Sequence, residues 1–313
     1  MIRKLLSVFL LLIGWGLVLP VSLSAASEKP GGDSPGSMPP HLLVALTINK
    51  YSEVDVKDAK AALNVWIDMI AKRTGSTTKV ELVSFDDFER FEKEIRANKI
   101  DLIFLFPQEY FQLKNRIPFD PIAVSTPLGA DQKYFVALVR KDGGITGVRG
   151  LAGREALMET GENSLLISLW LENLLLKEGF PRPENFFSNL KMVKKASQAL
   201  LPVFFKQADA CAVSQGAFET TKELNPQVGQ ELAVLAQSPG FPQGVICMRK
   251  GLAEKYKPFV EEMYTIHNQS QGKQILTLMK IKKLLPFQAA YLQTTEALLA
   301  ENQALKLKAA RKN

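Results

Sequence analysis

The side chains able to do covalent or acid–base chemistry are few and scattered. The 313 residues include only two histidines, His41 and His267, and two cysteines, Cys211 and Cys247. Neither histidine belongs to an H-E-x-x-H pair, no serine sits in a G-x-S-x-G elbow, and no phosphate-cradling P-loop is present. Gly147, Gly150 and Gly153 form G-x-x-G-x-x-G, which is not the spacing a dinucleotide site needs. A cysteine nucleophile needs an activating base, and neither cysteine has one evident in the sequence. An enzyme, a cofactor and a metal site are therefore not expected. What remains is short polar residues able to hold a molecule without changing it. Asn163 and Ser164 precede an apolar helical pattern, where such residues cap free N–H groups. Asp209 and Ser214 flank a short apolar strand, one suited to accept a hydrogen bond from an amino or hydroxyl group, the other to donate one.

Elements must position these residues, and the chain offers them in a regular order. Arg3 and Lys4 precede an apolar stretch from Leu5 to Leu19, then Pro20 and Ser24-Ala25-Ala26, the pattern of an export signal. A retained membrane anchor is the alternative, since apolar and small residues run on to Ala26. Residues 29–40, KPGGDSPGSMPP, have too little apolar surface to order themselves. Beyond them, His41–Leu46, Lys79–Phe85 and Ile100–Phe106 read as strands. Between these, Ala59, Ala62, Leu63, Trp66 and Ile70 share one helical face, and Asp86 or Asp87 caps a helix carrying Phe88, Phe91 and Ile95. Apolar runs at 122–125 and 134–139 lead into a second series. Its strands are expected at 155–158, 190–193 and 208–213, with helices at 164–177 and 197–206. Strand–helix alternation argues for parallel sheets. Two such series fit two lobes better than one sheet.

The expected organisation is a signal over 1–26, a linker over 27–40, lobe one over 41–140 with a return over 241–290, and lobe two over 141–240. A C-terminal helix follows over 291–313. Hinges are expected near Val139–Asp142 and Ser238–Gly244. In that arrangement Cys211 and Cys247 fall in different lobes and stay unpaired. The formal charge is +7, with 39 basic residues and 32 acidic ones. Removing Arg3 and Lys4 leaves 37 against 32, a balance of +5. Basic and acidic residues alternate without a run that would track a phosphate backbone, so nucleic acid is not an expected partner.

Four stretches carry a resemblance to a known family: KVELVSFDDFERFEKEIRANKIDLIFLFPQEYFQL (79–113), YFVALVRKDGGITGVRGLAG (134–153), QADACAVS (207–214) and VLAQSPGFPQGVICMRKG (234–251). In order and spacing they resemble the PhnD-like phosphate, phosphite and phosphonate-binding proteins of ABC transporters, within the α/β type 2 periplasmic-binding fold. The resemblance implies a periplasmic solute-binding protein that closes two lobes on a small ligand and presents it to a membrane permease. It also implies that Tyr110, beyond Pro107, and Tyr51, beyond the first strand, line the cleft. Asp209 would do so at the start of the apolar strand in QADACAVS and Ser214 after it, and Asn163 and Ser164 at the first long helix of lobe two.

At that helix the family places hydroxyls and glycine that hold an oxyanion on free amides. Here the stretch reads ETGENSLLISLW, with Leu165 and Leu166 in place of hydroxyls and Glu159 and Glu162 nearby. Carboxylates there compete with an anion. This departure and the C-terminal segment motivate a rival reading, an envelope sensor or interaction module with a degenerate cleft. Leu284, Tyr291, Leu298 and Leu305 recur every seven residues, as a helix packing on lobe one or pairing with a protein partner would require.

Overall fold

The computed structural model describes residues 40–47, 56–74, 78–85, 87–97, 99–160 and 164–310. The expected export segment and nearly all of the linker lie outside them, as do Tyr51 and Asn163. The first series is β1 (His41–Thr47), α1 (Val56–Thr74), β2 (Lys79–Phe85), α2 (Phe88–Arg96), β3 (Leu102–Leu105), α3 (Pro107–Leu113) and β4 (Phe119–Pro127). The second is β5 (Phe135–Arg140), β6 (Glu155–Glu159), α4 (Ser164–Lys177), α5 (Pro183–Phe186), β7 (Asn189–Val193), α6 (Ala196–Phe204), β8 (Ala210–Ser214), α7 (Gln215–Leu224), α8 (Pro226–Glu231) and β9 (Leu232–Gln237). The chain returns through β10 (Gly244–Arg249), α9 (Lys257–Thr265), α10 (Ser270–Leu278) and β11 (Ile281–Pro286), and ends on α11 (Gln293–Ala310).

The strands form two separate sheets, ordered β11-β4-β10-β3-β1-β2 and β7-β6-β8-β5-β9. In the first, β1 runs parallel to β2 and β3. In the second, β6 runs parallel to β7 and β8. Helices cover both faces of each sheet, which is why the central strands are apolar throughout rather than alternating. Trp66, Ile70, Phe259 and Ile275 pack on one face of the first sheet, and Phe91, Ile95 and Leu113 on the other. Trp170 and Leu171 cover one face of the second sheet, and Leu200, Val203 and Phe218 its reverse. The caps follow the sequence. Asp87 Oδ1 accepts the Glu89 N–H at 2.8 Å, and the chain after α4 turns at Gly179 with φ +79.

Three expectations need correction. β5 lies inside the second sheet, bonded to β8 and β9, so the lobe boundary expected at 140 and the hinge at Val139–Asp142 are displaced. The first connector is instead 128–134, since an apolar strand carries no mark of which sheet it will join. The expected heptad stripe is cut by β11, so Leu284 and Leu285 pair with β4 as strand residues. Finally, α11 packs on α4 of the second lobe more than on the first. Asn302 donates to Glu172 Oε2 at 2.8 Å and to Asn173 Oδ1 at 2.7 Å, and Lys306 reaches Glu172 at 2.9 Å. The inward face that could have paired with another protein is occupied by this network.

Candidate functional site at the facing strand ends

Register determines which edges of the sheets meet. At the carboxyl end of β3, Leu105 pairs with Val245 near the start of β10, and Gly244 pairs with Ser125 towards the end of β4. In the second sheet, Phe135 at the start of β5 pairs with Ser214 at the end of β8, and Gln237 at the end of β9 pairs with Val136. Both connectors, 128–134 and 238–243, therefore join the edges where the parallel strands of each sheet end. Ligands of open α/β sheets bind outside those carboxyl ends. The connectors are themselves paired: Lys133 and Phe241 exchange backbone hydrogen bonds of 2.7 and 2.8 Å.

On the first-lobe edge the polar groups are buried. Gln108 opens α3 at 5 % exposure, and its Oε1 has no partner among the described residues. Ser125, Thr126 and Gln243 are buried close by in sequence register, with the Gln243 N–H donating to Ser125 O at 2.9 Å. Leaving an amide oxygen unpaired in such a place costs free energy. A ligand or water donor is what such an atom lacks.

On the second-lobe edge, Glu159 ends β6 and accepts the Ser214 N–H at 2.8 Å. Thr160 is buried and donates its hydroxyl to Val193 O at 3.1 Å. Ser214 begins the turn into α7 and makes no side-chain cap to it, while Gln215 accepts from Gln237 Nε2 at 3.2 Å. Ser164 is the first residue of α4, whose leading N–H groups lack intrahelical partners. Leu165 is exposed, but Leu166 is fully buried in the second-lobe core, which explains why no hydroxyl stands at that position.

The four candidates among the described residues, Tyr110, Ser164, Asp209 and Ser214, are not all brought together. Ser164 and Ser214 share the carboxyl edge. Asp209 does not: it precedes β8, at the opposite end from Ser214, where it accepts the Glu155 N–H at 3.0 Å and faces Arg154 at 3.6 Å. The strand between them spans roughly 15 Å, so Asp209 is corrected from ligand contact to fastening the far edge. Tyr110 packs its ring at 5.5 Å from Phe111 and 6.1 Å from Phe287, and burial raises its phenol pKa. Gln108, Ser125, Thr160 and Gln243 were missed by sequence reasoning. Thr160 directly follows β6 and Gln243 directly precedes β10, placements a strand pattern offers, whereas Gln108 inside α3 and Ser125 inside β4 show themselves only through burial.

Cys211 and Cys247 are free, buried and in different sheets, and burial raises both thiol pKa values. Among the described residues no cluster of three His, Cys, Asp or Glu side chains could hold a metal.

Solved structures share this architecture. A binding-protein component of an ABC phosphonate transporter from Pseudomonas aeruginosa superposes with a TM-score of 0.61 at 16% identity, covering 86% of this chain and 88% of its own. XAC2383 from Xanthomonas citri, bound to ATP, gives 0.64 at 14% identity over 86% and 98%. PhnD1 from Prochlorococcus marinus, in complex with methylphosphonate, gives 0.58 at 15% identity over 83% and 97%. At these identities the likeness establishes the fold, the two-lobed α/β arrangement of type 2 periplasmic binding proteins. No curated protein matches the sequence. The model of the family described as ABC transporter, phosphonate, periplasmic substrate-binding protein matches residues 51–292, and the chain belongs to that family of transport components rather than to any class of enzyme.

Proposed function

We propose that the protein traps a small phosphonate-like oxyanion between its two sheets, by lobe closure, in the periplasm. One observation carries this reading: both sheets turn the carboxyl ends of their parallel strands toward the same paired connectors. On the second lobe the leading amides of α4, from Ser164 onward, are the anion donors, supported by the positive end of a 14-residue helix. Leucines at 165 and 166 remove side-chain hydroxyls but leave the backbone N–H groups untouched. Ser214 adds a hydroxyl on the same edge. From the first lobe, Gln108 and Tyr51 would close on the other end of the ligand. Methylphosphonate in PhnD1 supports the ligand class. Substrate-binding components deliver their ligand to a membrane permease, and the apolar leader with its Ala25-Ala26 exit fits removal during export.

A thermal-shift panel of methylphosphonate, phosphite, phosphate and methanesulfonate tests the reading. Binding only to the native state must raise the unfolding midpoint. Stabilisation by at least one phosphorus oxyanion is expected; none by any member would overturn it.

A further inference from the structure

The chain crosses between the lobes a third time, near its C-terminus. Leu292 is buried in the first-lobe core with Phe85 and Phe91, whereas Leu298 is buried in the second-lobe core with Trp170 and Leu171. Between them, the Thr294 hydroxyl donates to Gly240 O at 2.7 Å, which is the middle of the second connector. Gly240 in turn lies so close to the first connector that an added Cβ would stand 2.0 Å from Gln132 Oε1. Three crossings are thus fastened to one another at a single level. The family match ends at residue 292, so the fastening segment lies beyond it.

We propose that residues 292–310 form a strap that braces the paired connectors and sets how far the lobes open. This rests on the ligand-trapping reading, whose site it would regulate. Two extended connectors can rotate through a few backbone torsions. A third crossing anchored on both sides removes part of that freedom. On the second lobe the anchor is buried and firm, through Asn302 with Glu172 and Asn173, so α11 moves with α4. On the first lobe it is Leu292 and an exposed ion pair, Lys114 with Glu296 at 3.1 Å, which solvent screens. Opening therefore shears the strap against α3 and leaves it seated on α4.

The test is a distance distribution between spin labels on Lys99→Cys and Lys191→Cys, both exposed sites, with the two native thiols buried out of reach. In ligand-free protein, the Thr294→Val, Asn302→Ala double variant is expected to at least double the width of the distribution, and Thr294→Ser to keep the original. A double-variant distribution that overlays the original would overturn the proposal. If circular dichroism shows the double variant unfolded, Thr294→Val alone must broaden the distribution for the strap to stand. Adding methylphosphonate to the same samples separates the two readings. Broadening by the variants without any ligand response keeps the strap and removes the ligand assignment.

Discussion

Glu159 and Ser214 close the carboxyl edge of the second sheet: the carboxylate ending β6 takes the N–H that begins the turn after β8, at 2.8 Å. One backbone donor is thereby used up, and a negative charge is fixed on the edge proposed to hold the ligand. Glu159→Gln keeps an acceptor for Ser214 and removes the charge. Affinity for methylphosphonate should rise on the order of tenfold, equivalent to about 1.4 kcal/mol. Calorimetric titration checks this, and weaker binding in the variant would place the carboxylate among the ligand's partners.

The α4–α11 junction is polar where a core would be apolar. Asn302 serves two acceptors at once, and its loss leaves the buried Asn173 Oδ1 without that donor while Glu172 keeps only Lys306 and Arg182. Asn302→Ala should cost about 1–3 kcal/mol, measured by urea denaturation. A cost near zero would mean that water replaces the amide without penalty.

Acid should loosen the same junction. Burial pushes the Glu172 carboxyl pKa up, but hydrogen bonds from Asn302, Lys306 and Arg182 outweigh it and hold the value below the usual range. A group depressed in the folded state stabilises fully above its unfolded value, about 4.3. That contribution is lost as pH falls through this value towards the folded one. Denaturation at pH 6, 4 and 3 should show a steeper loss in the native protein than in Glu172→Gln. Parallel curves would contradict the assignment. Asp131 and Asp142 are depressed too and contribute equally to both curves.

Gly240 is required by its neighbour. A Cβ there would lie 2.0 Å from Gln132 Oε1 and 2.9 Å from its Cβ. The exposed amide can swing aside, but the Cβ cannot without moving the connector. Gly240→Ala should cost roughly 1–3 kcal/mol, and Gln132→Gly in the same chain should recover most of it. Failure of that second change to restore stability would show that the crowding lies elsewhere.

The elements were legible where one physical signal decided them. Trp66 and Ile70 at helical spacing, Asp87 before Phe88 and the apolar run at Leu102–Leu105 each have local causes, and each formed as expected. Partner choice was not local. FVALVR reads as a buried strand in either sheet, and only its hydrogen bonds assign it to the second. The leucine repeat across residues 284–305 misled because β11, turning at Pro286, interrupts it. Asp209 was misplaced for a related reason: a strand's pattern does not say which of its ends faces the ligand. Of the proposed site, the sequence made legible only where Ser164 and Ser214 stand, one opening α4 and the other ending β8. Gln108 escaped notice because a lone glutamine after Pro107 carries no signal until its burial is known.

A crystal structure grown with methylphosphonate tests the central claim most directly. The account predicts density between the sheets, with phosphonate oxygens within hydrogen-bonding distance of the first amides of α4 and the lobes drawn together over it. A complex with the ligand bound outside the facing strand ends, or an empty gap at saturating concentration, would contradict it.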